Sequence, residues 1–272
     1  MIYIFTHKVT SRVKYAFRLI FRDVLKLEYK LISSQQEFSE VEGVKIAYTV
    51  NPIAGAFFIQ SKNLLFEQGI NDQEIKIIPF DRTKAFFGLG SRSMFPFDIF
   101  AASFYLASRY EEYLPHKRDL YDRFDAEQSL AYNEDFIHQP VINIWASEFS
   151  KLLKDQFPEF IPTKSEYKFI TTIDVDNAYA YLEKGFVRTL MGYGKAILSF
   201  NVRDVVDRTK TLLGLKKDPY DTFDYQKSLV LKENLTFIYF FLLGDYGMND
   251  KNIPISSQKF QSLIKSISDH SK

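Results

Sequence analysis

One apolar run near the end of the sequence constrains the fold more than any other feature. Residues 235–243, LTFIYFFLL, are of strand length and carry no charged side chain. A strand without a polar face is buried on both faces, which is typical of strands in parallel sheets. The run therefore predicts an interior strand of an α/β protein.

A second predicted strand ends in two carboxylates. Within residues 167–181, YKFITTIDVDNAYAY, an apolar run at 169–173 turns polar at Asp174 and Asp176. Strand side chains alternate, so these two lie on one side, about 6 to 7 Å apart along the backbone. Their repulsion is tolerable only with a cation, a shared proton or full solvation. Because parallel α/β sheets and barrels place their chemistry at the carboxyl ends of strands, the pair is a candidate metal or acid/base site.

The residues before this strand predict a separate mixed α/β domain. Short strands are expected at Ile2–Phe5, Leu27–Ile32, Val44–Thr49, Phe57–Gln60 and Ile75–Phe80. The alternation in the third of these predicts one solvated face. Helical patterns begin at Ser11, as the cap, at Asp98 and at Ile144.

A short segment with two prolines and few apolar anchors, residues 157–164, marks the domain boundary. We therefore predict an N-terminal α/β domain of residues 1–164 and a second domain of residues 165–272.

Charge and cysteine content exclude several classes of function. The formal net charge is +1, from 35 basic and 34 acidic residues. A chain so close to neutral lacks the overall positive charge that favours binding to nucleic acid or to an anionic membrane. With no cysteine, neither a disulfide framework nor a thiolate metal site can form. The N-terminus lacks the pattern of a signal peptide, and no apolar run approaches the length of a membrane span. We expect a cytoplasmic protein without nucleic-acid or membrane partners.

Four interpretations of the carboxylate pair are open. Haloacid-dehalogenase phosphatases place Thr or Val two residues past the second Asp, where this chain has Ala178. Glycosyltransferases use the pair to hold a metal and a nucleotide diphosphate, but phosphate-binding glycines or a basic cluster are not evident. Metal-assisted deacetylation needs one carboxylate as general base and another as metal ligand. In the fourth, Asp176 or Asn177 merely caps the following segment and Asp174 closes a turn.

The wider context of the pair resembles a known family. The run FITTIDVDNAYAY, a helical insertion and then LTFIYFFLLGDYGMNDKN resemble the polysaccharide deacetylase domain (NodB-homology, carbohydrate esterase family 4). The N-terminal phrases MFPFDIFAASFYLASRYEEYLP, DRFDAEQSLA and PVINIW resemble the uncharacterised α/β domain that precedes it in a bacterial subgroup common in Bacteroidetes.

The resemblance implies a fold and a chemistry. The N-terminal α/β domain would be followed by the first βα units of a deacetylase-type (β/α) barrel, a hydrolase of carbohydrate metabolism. Asp174 would be the general base that activates water. Asp176 would bind a divalent metal ion, and the expected ion is Zn²⁺. The substrate would be a polysaccharide or an N-acetyl sugar.

The chain departs from that family in its histidines and its length. The family takes its histidine ligands from a later strand, and His270, at a predicted helix end, is a poor substitute. A barrel of this kind needs roughly 200 residues or more, whereas about two βα units follow Lys168. We therefore expect a truncated deacetylase domain that binds little or no metal and has little or no activity, and whose unpaired strand edges favour homo-oligomers. The alternative is a non-catalytic module that binds glycan or protein.

Overall fold

The chain divides into two units, Met1–Ser165 and Glu166–Lys272. The computed structural model describes residues 1–164, 166–233, 235–244 and 252–269. Each unit contains a parallel sheet and several helices, which confirms the predicted α/β class. The deacetylase-type barrel stays a prediction.

Four parallel strands form the centre of the first unit, in the order β2, β1, β3, β4. They are β1 (Ile2–Thr6), β2 (Tyr29–Ile32), β3 (Val44–Thr49) and β4 (Phe57–Gln60). Aromatic and β-branched residues predominate in these runs, as a pleated, half-buried surface favours. An antiparallel pair follows, formed by β5 (Ile78–Phe80) and β6 (Thr83–Ala85).

The helices of the first unit begin at polar caps or a proline. They are α1 (Ser11–Phe17), α2 (Gln35–Glu40), α3 (Ile99–Ala107), α4 (Leu130–Asn133) and α5 (Val141–Gln156). The cap of α1 is Thr10 and not Ser11 as predicted, because Thr10 is extended and its Oγ1 accepts a hydrogen bond from the Val13 amide at 3.0 Å. The helix continues as a π-helix, Arg18–Val24.

The sheet of the first unit is covered on both faces. The larger cluster contains Phe17, Phe100, Trp145 and Phe149, all fully buried, and a smaller one contains Phe38. Successive residues of β4 alternate between the two clusters, as the pleat requires. The predicted solvated face of β3 is therefore wrong, since this strand lies between β1 and β4 with helices and loops over both faces.

Two parallel strands and four helices make up the described part of the second unit. The strands β7 (Ile170–Val175) and β8 (Thr236–Phe241) pair directly along their length. Between them in sequence come α6 (Gly185–Leu198), α7 (Val202–Leu212) and α8 (Phe223–Glu233), and α9 (Gln258–Ser268) follows. Among the described residues, every helix is too short or too polar to traverse a lipid bilayer.

Only one face of this second sheet is covered by described residues. Val175, Phe241 and Phe260 belong to a small core on that face, while Ile238 and Phe240 on the other face are exposed. The prediction that residues 235–243 are buried on both faces is wrong for this part of the chain. The reason is that α9 and the start of α8 pack against a single face of the sheet.

Candidate functional site

The two strands of the second unit end together. Val175, the last residue of β7, is the register partner of Phe241, the last of β8, and its carbonyl accepts from the Leu242 amide at 3.3 Å. Both carboxyl ends therefore lie on one edge of the sheet, which is where open parallel sheets bind ligands.

Asp174 and Asp176 lie at this edge and are both exposed. Exposure alternates from Ile170 onward, with Val175 buried between the two carboxylates, so both carboxylates are on the uncovered side. Neither has a hydrogen bond or ion pair with any described residue. Exposure to solvent reduces the repulsion between these two like charges and leaves both carboxylates accessible to a ligand.

The structure does not support the interpretation in which Asp176 or Asn177 caps the segment that follows. The N-cap residue of α6 is Lys184, which makes no side-chain capping bond. Asn177 instead accepts a hydrogen bond at Oδ1 from Lys184 Nζ, at 2.6 Å. Asp176 and Asn177 are therefore not needed to begin the next helix.

Asp218 holds the chain that follows the pair, and the sequence analysis missed it. Its nearly buried carboxylate accepts from four backbone amides, those of Ala180 at 2.8 Å, Tyr181 at 2.9 Å, Leu182 at 3.1 Å and Tyr220 at 3.0 Å. Burial alone would raise the pKa of Asp218, but the four donors outweigh it and the pKa lies below its ordinary value. The carboxylate stays charged and fixes the segment after Asn177.

Two basic side chains lie beside this segment. Burial, with the nearby charge of Arg188, lowers the pKa of Lys184 to about 8. Arg188 Nη1 donates to the carbonyl oxygen of Asn252 at 3.3 Å. Together with Asn252 they line a cavity of about 630 Å³.

Asn252 fixes the chain beyond β8. This buried residue donates from Nδ2 to the carbonyl oxygens of Leu242 at 3.2 Å and Gly244 at 2.7 Å. Its Oδ1 has no hydrogen-bond partner among the described residues. In the sequence this strand is followed by polar residues at a strand's carboxyl end, and residues 245–251 lie outside the described part of the chain.

The described residues do not complete a zinc site. Zinc sites in proteins need three or four ligands, usually with imidazole or thiolate among them. Within the described ranges, no three His, Cys, Asp or Glu side chains come together. The described histidines, His7, His116 and His138, belong to the first unit, and His270 lies outside the described residues. Asp176 is thus an exposed carboxylate without a described co-ligand.

The first unit contains a second perturbed carboxylate, Asp98, at the start of α3. It accepts from Tyr48 Oη and the Lys62 amide, both at 2.7 Å, and from the amides of Phe100 at 3.1 Å and Ala101 at 3.0 Å. Burial raises the pKa of Asp98 to about 6, against the effect of these four donors. Because this side chain has no exposed surface, its role is to join β3, the segment that follows β4 and the start of α3.

One comparison with known proteins gives a match. A family model described as a family of unknown function (DUF7033) matches residues 2–158, more than half of the chain. No curated protein and no solved structure matches the chain. The matched residues lie within the first unit and do not include the carboxylate pair.

Proposed function

We propose a carbohydrate deacetylase-like function for this protein, which belongs to the family of unknown function DUF7033. The observation that carries the proposal is the exposure of Asp174 and Asp176 at the carboxyl edge of β7 and β8. The sequence resemblance of this region to polysaccharide deacetylases supports the same chemistry. The substrate class is a polysaccharide or oligosaccharide with N-acetyl groups.

The finer fold that we propose is a βα barrel of the deacetylase type. In such barrels, helices cover the outer face of each strand and the inner face meets other strands. The sheet of β7 and β8 has one face against α9 and one bare face. Asp174 lies on the bare face, so in a barrel it would point toward the interior.

The reaction is hydrolysis of an acetamide. Water attacks the carbonyl carbon and gives a proton to Asp174, after which the C–N bond breaks and the amine takes up a proton. Since the described residues do not complete a metal site, no step is assigned to a metal. We expect this chain to release little or no acetate.

A metal titration and an activity assay test the proposal together. Zinc or cobalt is titrated into the purified chain by calorimetry, and acetate release from chitin oligosaccharides is measured in parallel. Stoichiometric metal binding that is abolished by Asp176→Ala would support Asp176 as a metal ligand. Asp155→Ala is the control, because Asp155 is also exposed. Absence of metal binding would favour a non-catalytic role, and rapid metal-dependent acetate release would contradict the expected inactivity.

The second candidate is a non-catalytic module that binds glycan or protein. The exposed apolar face of β7 and β8, with Ile170, Ile238 and Phe240, favours it, because such faces mark interaction sites. Among the described residues the sheet has only these two strands, and its outer strand edges are the basis of the expected self-association. Light scattering of the purified chain tests this, since a strictly monomeric species would contradict it.

A further inference from the structure

The turn between α6 and α7 exposes four large apolar side chains in six residues. They are Ile197, Leu198, Phe200 and Val202, with exposed fractions of 62%, 83%, 91% and 71%. We name residues 197–202 the tip, and α6 with α7 the hairpin. Isolated exposed apolar residues are common on protein surfaces, but a contiguous group of this size marks an interaction site.

The exposed apolar surface continues along α6. Phe186, Val187, Leu190 and Met191 are also exposed. At 3.6 residues per turn, these positions fall on the same side of the helix as Ile197 and Leu198. The tip is therefore the end of a continuous apolar stripe.

The hairpin is held together on its other side. The Arg208 guanidinium lies over the rings of Tyr181 at 4.7 Å and Tyr193 at 5.6 Å. Tyr193 and Thr209 share a hydrogen bond of 2.9 Å between their hydroxyls. The apolar stripe is thus not needed to join the two helices.

Phe200 occupies a backbone position that suits glycine. Its φ is +53°, in the left-handed region. The Phe200 amide donates to the Ile197 carbonyl and the Asn201 amide to the Ala196 carbonyl, which is the Schellman ending of a helix with Phe200 at the usual glycine position. A bulky residue is strained there and gains almost no packing within the chain, so its side chain is placed for a partner outside it.

The hairpin has a net positive charge. From Gly185 to Leu212 there are five basic and two acidic residues, so the rest of the chain has a net negative charge. Both acids are paired, Asp204 with Arg208 at 3.1 Å and Asp207 with Lys216 at 2.7 Å. Lys195 and Arg203 flank the tip on its two sides.

We propose that the tip inserts into the headgroup region of an anionic phospholipid bilayer, with the basic side chains of the hairpin contacting lipid phosphates. Apolar residues bordered by Lys and Arg are the pattern of interfacial membrane binding. Anionic lipids attract clustered basic residues near the surface. The expectation of no membrane partner rested on the near-neutral charge of the whole chain, and the proposal departs from it because of this local excess of basic residues.

Vesicle sedimentation with the full chain tests the proposal. We expect the protein to sediment with vesicles of phosphatidylcholine mixed with phosphatidylglycerol, much less with phosphatidylcholine alone, and less as salt is added. Phe200→Gly should weaken binding roughly tenfold to a hundredfold, because burial of one Phe side chain is lost, while the backbone position accepts glycine. Leu120→Gly is the matched control, since Leu120 is fully exposed in the first unit, and should bind as the wild type does.

A single thiol provides a second measurement. The chain has no cysteine, so Ser199→Cys can carry an environment-sensitive fluorophore at the tip. Its emission should shift to the blue with anionic vesicles, whereas the same probe at Leu120→Cys should not shift.

Three results would overturn the proposal. The first is equal binding to both vesicle types, the second is undiminished binding by Phe200→Gly, and the third is no binding at all by the wild type. A dimer in sedimentation velocity that Phe200→Gly dissociates, without vesicle binding, would show that a second copy covers the tip.

Discussion

The two units of this protein bury their sheets to different extents. In the first, clusters on both faces close the sheet, and Phe100 and Trp145 have no exposed surface. In the second, one small cluster covers one face, and Phe240 on the other is 56% exposed. The matched family covers the closed unit, whereas the candidate chemistry lies in the open one. The contrast separates a part of the chain stabilised by its own core from a part whose surfaces are suited to partners.

Two buried aspartates show the same contrast in electrostatic terms. Asp98 and Asp218 each accept four hydrogen bonds, yet the pKa of Asp98 is raised and that of Asp218 is lowered. Burial is the largest cause at both, and it prevails only at Asp98, inside the large aromatic core. At Asp218, in the second unit with its smaller core, the four hydrogen-bond donors outweigh burial.

The prediction with the largest expected effect compares the removal of one aromatic ring from the covered sheet of the first unit with the removal of one from the exposed sheet face of the second. Phe100→Ala should reduce the free energy of unfolding of the first unit by about 3 to 5 kcal/mol, because a cavity forms in a closed core. Phe240→Ala should change the stability of the second unit by less than about 0.5 kcal/mol, since its ring is largely solvated. Denaturant unfolding followed by Trp145 fluorescence reports the first unit, and circular dichroism reports the whole chain. Equal losses in the two variants would show that the bare face is buried in solution.

The second test uses pH and Asp98. Its folded-state pKa of about 6 lies above the ordinary 3.8, so the folded state binds the proton more tightly than the unfolded state does. This contribution to stability is fully present below the ordinary pKa and is lost as pH rises through about 6. Relative to Asp98→Asn, the wild type should lose about 3 kcal/mol across this window.

The measurement for Asp98 is urea unfolding at a series of pH values, followed by Trp145 fluorescence. Asp155→Asn is the control, because Asp155 is exposed and should show no such difference from the wild type. A wild type that gains stability relative to Asp98→Asn as pH rises would contradict the raised pKa.

The third test removes the carboxylate of Asp218. Asp218→Ala leaves four backbone amides without their acceptor and should destabilise the second unit by about 2 kcal/mol. Hydrogen exchange should speed up at the amides of Ala180, Tyr181 and Leu182. Asp221→Ala, in the same loop, should leave these amides protected, because the one contact of its carboxylate among the described residues is a 3.7 Å ion pair with Lys217. Unchanged hydrogen exchange at these amides in Asp218→Ala would contradict the role assigned to Asp218.

The smallest test concerns the strained residue of the tip. Phe200→Gly should stabilise the second unit by about 1 kcal/mol, because glycine adopts the left-handed conformation without steric cost. Thermal unfolding by circular dichroism measures the change, with Ser199→Gly as a neighbouring control outside the left-handed region. A loss of stability in Phe200→Gly would mean that the ring packs within the chain.

Much of the fold could be predicted from local patterns. The bounds of β3 and β4 agree with the runs Val44–Thr49 and Phe57–Gln60, and the helix predicted to begin at Asp98 has Asp98 as its N-cap. These features depend on neighbouring residues, because strand alternation and helix capping are local effects. The solvation of a strand face is not local, which is why β3 and β8 were assigned wrongly.

The candidate site could be predicted only in part. Asp174 and Asp176 were recognised because they follow an apolar run directly. Asp218 acts on amides up to 38 residues earlier in the chain, and no sequence spacing indicates that contact. The pKa of Lys184 likewise depends on burial and on Arg188, which packing decides.

The sequence by itself determined the α/β class, the positions of several strands and helices and the place of two acids at a strand end. These follow from periodicity and composition, which act over a few residues. Tertiary structure alone decided which sheet face is covered, which carboxylate keeps its charge and where apolar side chains meet solvent. Those outcomes depend on the solvation of each group, and solvation is set by chain segments that are distant in sequence.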